Sequence, residues 1–302
     1  MARVLEDIVV GATKSPANDG GFRWEDANRR VRNVLAGETV ADSTKVKLLV
    51  EAGHLPVFYF PVADVRQDIL VPSDLRTESS LKGAASYWHI RVGDRLAENA
   101  VWRYLDPPVH SPAVQDYFAF YWHKLDHWYE ENDEVFAHAR DPHKRIDVLR
   151  SSRQVQVILG GEEVANTRRP TLLLETGLVT RFYIPFEDIR KDLLLPTDTH
   201  SRCPYKGEAS YWSVKIGERV YKDIVWSYPT TLPEAQNIAG LLSFYNERVD
   251  SIIVDDEEFP KQHNDFIRKP DEKGARKGTQ VLQRVSLFAA GRSQRRSAAS
   301  GG

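Results

Sequence analysis

Cysteine and methionine are nearly missing from this chain: Cys203 and Met1 are the single examples of each. One thiol cannot close an internal disulfide or fill a four-cysteine zinc site, so stability has to come from ordinary core packing. No stretch approaches the 18 or so consecutive apolar residues of a membrane-spanning helix. The opening MARVLEDIVVGATKSP puts Glu6 and Asp7 inside what would be the apolar region of an export signal. The expectation is therefore a soluble, cytoplasmic protein without membrane association. Also missing are a glycine-rich phosphate loop, a GxSxG elbow and a dinucleotide-binding fingerprint. His123 and His127, in WHKLDHW, have the spacing of a helical zinc pair, but Lys124 stands where a metalloprotease carries its glutamate. No metal site is expected, and the sequence names no cofactor.

Charge is present but unevenly spread. Residues 261–302 hold ten Lys or Arg against three Asp or Glu, net +7, which leaves the rest of the chain at -9 within a total of -2. An acidic body argues against a nucleic-acid footprint on the folded part, because phosphate binding draws on clustered Lys and Arg. The basic tail reads as a disordered extension.

What the sequence does contain is itself, twice. With an ungapped offset of 124, residues 34–104 match residues 158–228 at 29 of 71 positions. GETVAD recurs as GEEVAN, FYFPVADVRQDILVPSD as FYIPFEDIRKDLLLPTD, and KGAASYW as KGEASYW, which marks a tandem duplication. The organisation read from this is an N-terminal extension (1–30), a first unit (31–138), a linker (139–150), a second unit (151–260) and the tail (261–302).

Each unit reads as mainly β. Val155–Leu159, then Gly160-Gly161 and Glu162–Ala165, form a hairpin signal. In SYWSVKIG, Trp212, Val214 and Ile216 alternate with Tyr211, Ser213 and Lys215, which predicts a strand with one buried face. Pro185 can open a short helix, with Ile189 and Leu193 four apart and Pro196 ending it. The aromatic and aliphatic stretches 117–129 and 238–254 are read as strands.

The chemistry-bearing candidates cluster around CPYKGEASYW, residues 203–212. Lys206 precedes a glycine that can take positive φ, as Lys82 does in the first copy. It can bind an anion or, desolvated, act as nucleophile or base; the plain alternative is a solvated lysine beside a turn. Asp188 and Asp192 would repel each other at i,i+4 on the proposed helix, so a cation such as Arg190 or Lys206 should compensate, or the carboxylates form a structural salt bridge. Cys203 stands where the first copy has Ser79; a reactive thiol would need Lys206 or His200 nearby, and otherwise it is buried and inert. Glu175, repeated as Glu51, has strand pairing as its plain role. Tyr183, Trp226 and Tyr228, repeated as Tyr59, Trp102 and Tyr104, belong in the core, whereas Tyr211 is the aromatic placed at a pocket.

These motifs, in order and in both copies, resemble the domain of unknown function 427 family in tandem form over roughly residues 31–260. The resemblance implies two Mss4-like (β-tent) domains, a fold shared with methionine sulfoxide reductase B and zinc-binding modules. Some members carry a nucleotidyltransferase label, but a Gly-Ser segment followed by Asp-x-Asp is lacking here, and Asp188-x-Arg190-x-Asp192 is a different geometry. The function expected is small-molecule binding, anionic or aromatic, in the second unit. Lys206 and Cys203 would be catalytic if a reaction occurs, with Asp188, Arg190, Asp192, Tyr183, Tyr211, His200 and Glu175 binding the ligand. A non-catalytic scaffold for a protein partner is the alternative, and nucleotidyl transfer the third.

Overall fold

In a computed structural model, which describes residues 21–261, the alternating stretch SYWSVKIG becomes the middle of a long strand. Val214 is buried and Trp212 and Ile216 pack beside it in the core, while Tyr211 joins the aromatic cluster on the opposite face. The matching stretch of the first unit splits the same way, with Ile90 in one core and Tyr87 in the other.

The first unit contains β1 (Phe22–Asp26), β2 (Val31–Leu35), β3 (Glu38–Ser43), β4 (Lys47–Glu51), β5 (Val57–Pro61), β6 (Leu70–Ser79), β7 (Gly83–Val92), β8 (Arg95–Tyr104), β9 (Tyr117–Phe120), β10 (His127–Glu130) and β11 (Asp133–Val135). The second repeats them as β12 (Ile146–Arg150), β13 (Val155–Leu159), β14 (Glu162–Thr167), β15 (Thr171–Glu175), β16 (Arg181–Ile184), β17 (Leu194–Cys203), β18 (Gly207–Ile216), β19 (Arg219–Thr231), β20 (Leu242–Phe244), β21 (Ser251–Val254) and β22 (Glu257–Glu258). A seven-stranded sheet runs β1-β4-β5-β9-β8-β7-β6 in one unit and β12-β15-β16-β20-β19-β18-β17 in the other. A four-stranded sheet runs β11-β10-β2-β3 and β14-β13-β21-β22. Even the irregularities repeat: the register slips after Trp88 and again after Trp212, 124 residues on. The protein is thus mainly β and built from two similar sheet sets, as the duplication predicted.

One face of each large sheet packs on the small sheet. Val155, Val157 and Leu159 of β13 meet Phe182, Ile184 and Phe244 there, all nearly solvent-free. The other face carries Leu173, Tyr183, Trp226 and Tyr228.

The helix expected between Pro185 and Pro196 does not form. Phe186–Asp188 and Lys191–Leu193 are separate single 3-10 turns, broken at Ile189, which is extended and bridges Ala165. Pro196 lies within β17 instead, a position a proline tolerates because β17 is the sheet's edge. The stretches read as strands are broken too: Trp122–Lys124 is a 3-10 turn within the first, and Ile238, at the start of the second, ends another that begins at Pro233. The first break separates His123 from His127, so no helical histidine pair exists.

The unit boundaries move as well. β1 draws Phe22–Asp26 out of the expected extension, and β12 takes Ile146–Arg150 out of the expected linker. What remains of that linker is docked. Asp141 accepts from Arg23 at 2.5 Å and its amide donates to Tyr205 Oη at 2.6 Å, while His143 meets Glu25 at 3.0 Å. Tyr205, which replaces Leu81, therefore holds the linker to the second unit. The basic tail and residues 1–20 lie outside the described residues.

The Lys-Gly pair closes the β17–β18 hairpin. Gly207 has φ +112°, and an added Cβ would lie 2.6 Å from the Thr230 carbonyl oxygen. Gly207→Ala is expected to destabilise the protein by about 2 kcal/mol or more, from strain plus displaced backbone. Gly161→Ala, at φ +80° with open space around it, should cost about 1 kcal/mol; equal urea-unfolding midpoints for the two variants would refute the account.

Candidate functional site

From that turn the Lys206 side chain runs inward. Its ammonium donates to Glu175 Oε2 at 2.5 Å, and Lys144 Nζ reaches Glu175 Oε1 at 2.9 Å. Glu175 is 3% exposed at its side chain and Lys206 12%, so the lysine is not the solvated turn residue of the plain reading. Burial alone would raise the Glu175 pKa, but the two ammoniums outweigh it and hold the carboxyl below its ordinary value. Burial likewise pulls Lys206 down, and Cys203 and Glu175 together overcome it, raising the lysine. The surroundings favour the ammonium, which suits Lys206 to holding an anion better than to nucleophilic attack.

The first unit keeps the pair and changes its balance. Lys82 bonds Glu51, and here burial wins, lowering the Lys82 pKa. Ser79 takes the place of Cys203 there, and the position matching Lys144 is Gly20.

Beside Lys206 and Glu175 the outer face of the second sheet opens into a cavity of about 180 Å³. Tyr183, Tyr211, Trp226, Tyr228 and Tyr245 form its walls, with Arg181 at one side. Trp226 Nε1 donates to Tyr183 Oη at 3.2 Å, and Tyr211 Oη shares a hydrogen bond with Ser201 at 2.7 Å. Burial raises the phenol pKa of Tyr183 and of Tyr245, keeping both rings neutral. Arg181 lies 5.4 Å from the Trp226 ring centre and 5.7 Å from that of Tyr245, while Glu247 grips its guanidinium at 2.7 and 3.0 Å.

Of the residues expected at a site, Lys206, Glu175, Tyr183 and Tyr211 converge on this cavity. Cys203 is half-buried against the same aromatic cluster. Asp188, Arg190 and Asp192 are elsewhere: Asp188 accepts from Thr167 at 2.7 Å and from Arg169, and Arg190 closes on Asp192 at 2.6 Å. These are the structural salt bridges of the plain reading. His200 is exposed, 3.9 Å from Glu208, and three positions from Cys203 on a strand it projects from the opposite face. It cannot activate the thiol from there.

Three participants escaped sequence reading. Arg181 aligns with Val57, Glu247 with His123, and Lys144 sits in the linker. Only the unmatched positions of the repeat could have signalled the first two.

A family model described as Domain of unknown function (DUF427) matches residues 23–131 and again 147–255. The chain belongs to this family. Its two matches begin within a residue of β1 and β12 and end just before β11 and β22, so each family copy spans one large sheet and all but the last strand of its small sheet. No curated protein matches the chain.

Glu175→Gln should leave two buried ammoniums without their carboxylate. At pH 7 a loss of about 3 kcal/mol is expected in urea unfolding, as for other buried pairs broken from one side. Because Glu175 is held below its ordinary 4.5, its contribution is present above that pH and fades as pH falls further. The gap between variant and parent should therefore narrow in acid; a gap that widens would contradict the assignment.

The linker predicts a second pH effect. His138 donates to the Ala139 carbonyl at 2.7 Å and lies 6.1 Å from the Tyr205 ring centre. Burial, with Lys144 and Lys206 nearby, lowers it from 6.5 to about 4. The folded state prefers the neutral ring, so this stabilisation is lost as pH falls from 6.5 toward 4. His138→Gln should flatten the pH dependence of unfolding in that window, and an unchanged slope would rule His138 out as its source.

Proposed function

We propose that the second unit binds a small anionic or aromatic molecule in the cavity beside Lys206. The supporting observation is the convergence on one cavity of five aromatic side chains and a buried lysine–glutamate group. Pockets of this kind, mostly apolar with a few fixed polar groups, are the usual form of a small-molecule site. A cytoplasmic setting fits a chain with a single thiol. Among the described residues no helix is long and apolar enough to cross a membrane. The pairing of a large with a small sheet in each unit supports reading the units as β-tents.

Catalysis through Cys203 draws support from its position next to Lys206, since a cation lowers the cost of a thiolate. A scaffold role for a protein partner draws support from the edge strands, where Val71 and Leu195 are exposed at equivalent positions. The aromatic cavity, with a lysine, a glutamate and an arginine among its lining residues, favours the ligand reading. Nucleotidyl transfer receives nothing comparable, because Asp188 and Asp192 are each committed to an arginine.

The test is a thermal-shift screen of the full chain against a metabolite library, with and without divalent metals. A ligand about a hundredfold above its Kd should add about 2.7 kcal/mol of apparent stability. Its shift should vanish in Tyr211→Ala and survive in Tyr87→Ala; the reverse pattern would move the site to the first unit, and no hit from any class would sink the reading.

A further inference from the structure

The two units share one aromatic frame, and the second has been changed around it in a consistent direction. Tyr59, Tyr87, Trp102, Tyr104 and Tyr121 match Tyr183, Tyr211, Trp226, Tyr228 and Tyr245. In the first unit Trp24 packs edge-on against Tyr59 at 5.2 Å and against Tyr117 at 5.3 Å. Val148 and Leu241 stand at the positions of Trp24 and Tyr117 in the second unit. Two large rings are replaced by aliphatic side chains, which pack with Ala235 and Ile238 in the outer cluster, while Tyr183, the counterpart of Tyr59, borders the cavity.

The substitutions that accompany this opening are polar. Arg181 replaces Val57, Lys144 stands opposite Gly20, and Ser243 replaces Ala119. Ser243 is fully buried on β20, directly across from both Tyr183 and Trp226, and its hydroxyl has no hydrogen-bond partner. Residues opposite one another on neighbouring strands share a face, so this hydroxyl lies beneath the aromatic cluster, behind the rings of Tyr183 and Trp226 that line the cavity. The charges around the space do not cancel. Lys206, Lys144 and Arg181 supply three positive charges against the two negative charges of Glu175 and Glu247.

Size sets a further limit. An engineered cavity of about 150 Å³ holds one benzene, so about 180 Å³ takes one six-membered ring with a small substituent. From these observations we infer that the second unit's cavity takes a single-ring aromatic anion, its ring against Tyr211, Trp226 and Tyr245 and its charge drawn to the lysines at Glu175. The inference rests on the ligand-binding reading above and names the ligand class for that same site.

Benzoate is the probe. Titrated into the full chain by calorimetry, it should bind at least about tenfold more tightly than cyclohexanecarboxylate, which has the charge without the π system, and than benzyl alcohol, which has the ring without the charge. Lys144→Gln leaves the Lys206–Glu175 pair as the first unit keeps Lys82–Glu51, and so should fold. It should weaken benzoate by about tenfold while leaving benzyl alcohol within about twofold. Comparators that bind as tightly as benzoate, or a Lys144→Gln variant that binds benzoate unchanged, would overturn the inference. If the library yields a ligand lost in Tyr211→Ala but single-ring aromatic anions do not bind, the ligand class is wrong and the binding reading stands. If no ligand of any class binds, both fall.

Discussion

A seven-stranded sheet has two faces to cover, and in each unit the four-stranded sheet covers only one. The inner face is dry and apolar, closed by β2 or β13. The outer face must exclude water by other means, and it does so with large rings, whose burial stabilises by about 1.5–3 kcal/mol each. Rings that tile a curved sheet leave gaps, and a gap is either plugged or becomes a cavity. The first unit plugs with Trp24 and Tyr117. The second packs Val148 and Leu241 with Ala235 and Ile238 at those places, and beside them its outer face carries the cavity, the arginine and the lysines.

The buried carboxylate follows from the same constraint. Glu175 ends β15 where the sheet meets the linker, too deep for water to solvate it. A lone carboxylate at that depth would be protonated or would unfold its surroundings. Two ammoniums from distant parts of the chain keep it charged, which ties the hairpin at Lys206, the sheet at Glu175 and the linker at Lys144 into one electrostatic unit. Glu175 is the member on which both lysines depend, so the group specifies how these three segments meet.

Much of the fold was legible in the sequence because its signals are local. Alternation in SYWSVKIG, the glycine at position 207 and the offset of 124 each record a short-range or repeated requirement. The helix between Pro185 and Pro196 was misread for an instructive reason. Ile189 and Leu193 do face the core side, but as an extended bridge and a 3-10 turn, and four-residue spacing cannot tell these from a helix. The site was half legible. Lys206, Glu175 and Tyr211 stood out because the copies retain them, whereas Arg181, Ser243 and Lys144 are recognisable only by where the fold carries them. Asp188 and Asp192 were attractive as paired carboxylates, yet their arginines lie 19 residues away in one case and two in the other, and each pair closes on itself.

The docked linker makes the second unit's chemistry a property of the entire chain. A fragment cut at the start of β12 would keep every strand of that unit and all five cavity rings. It would lose Lys144 and with it one of the two charges on Glu175, and Tyr205 would lose the amide that now occupies its hydroxyl. Such a fragment could fold correctly and still present a differently charged cavity. Arg23 and Glu25, through Asp141 and His143, extend that dependence to the edge strand of the first unit. Duplication thus gave the second copy something a single copy lacks: a preceding domain to anchor the segment that completes its electrostatics.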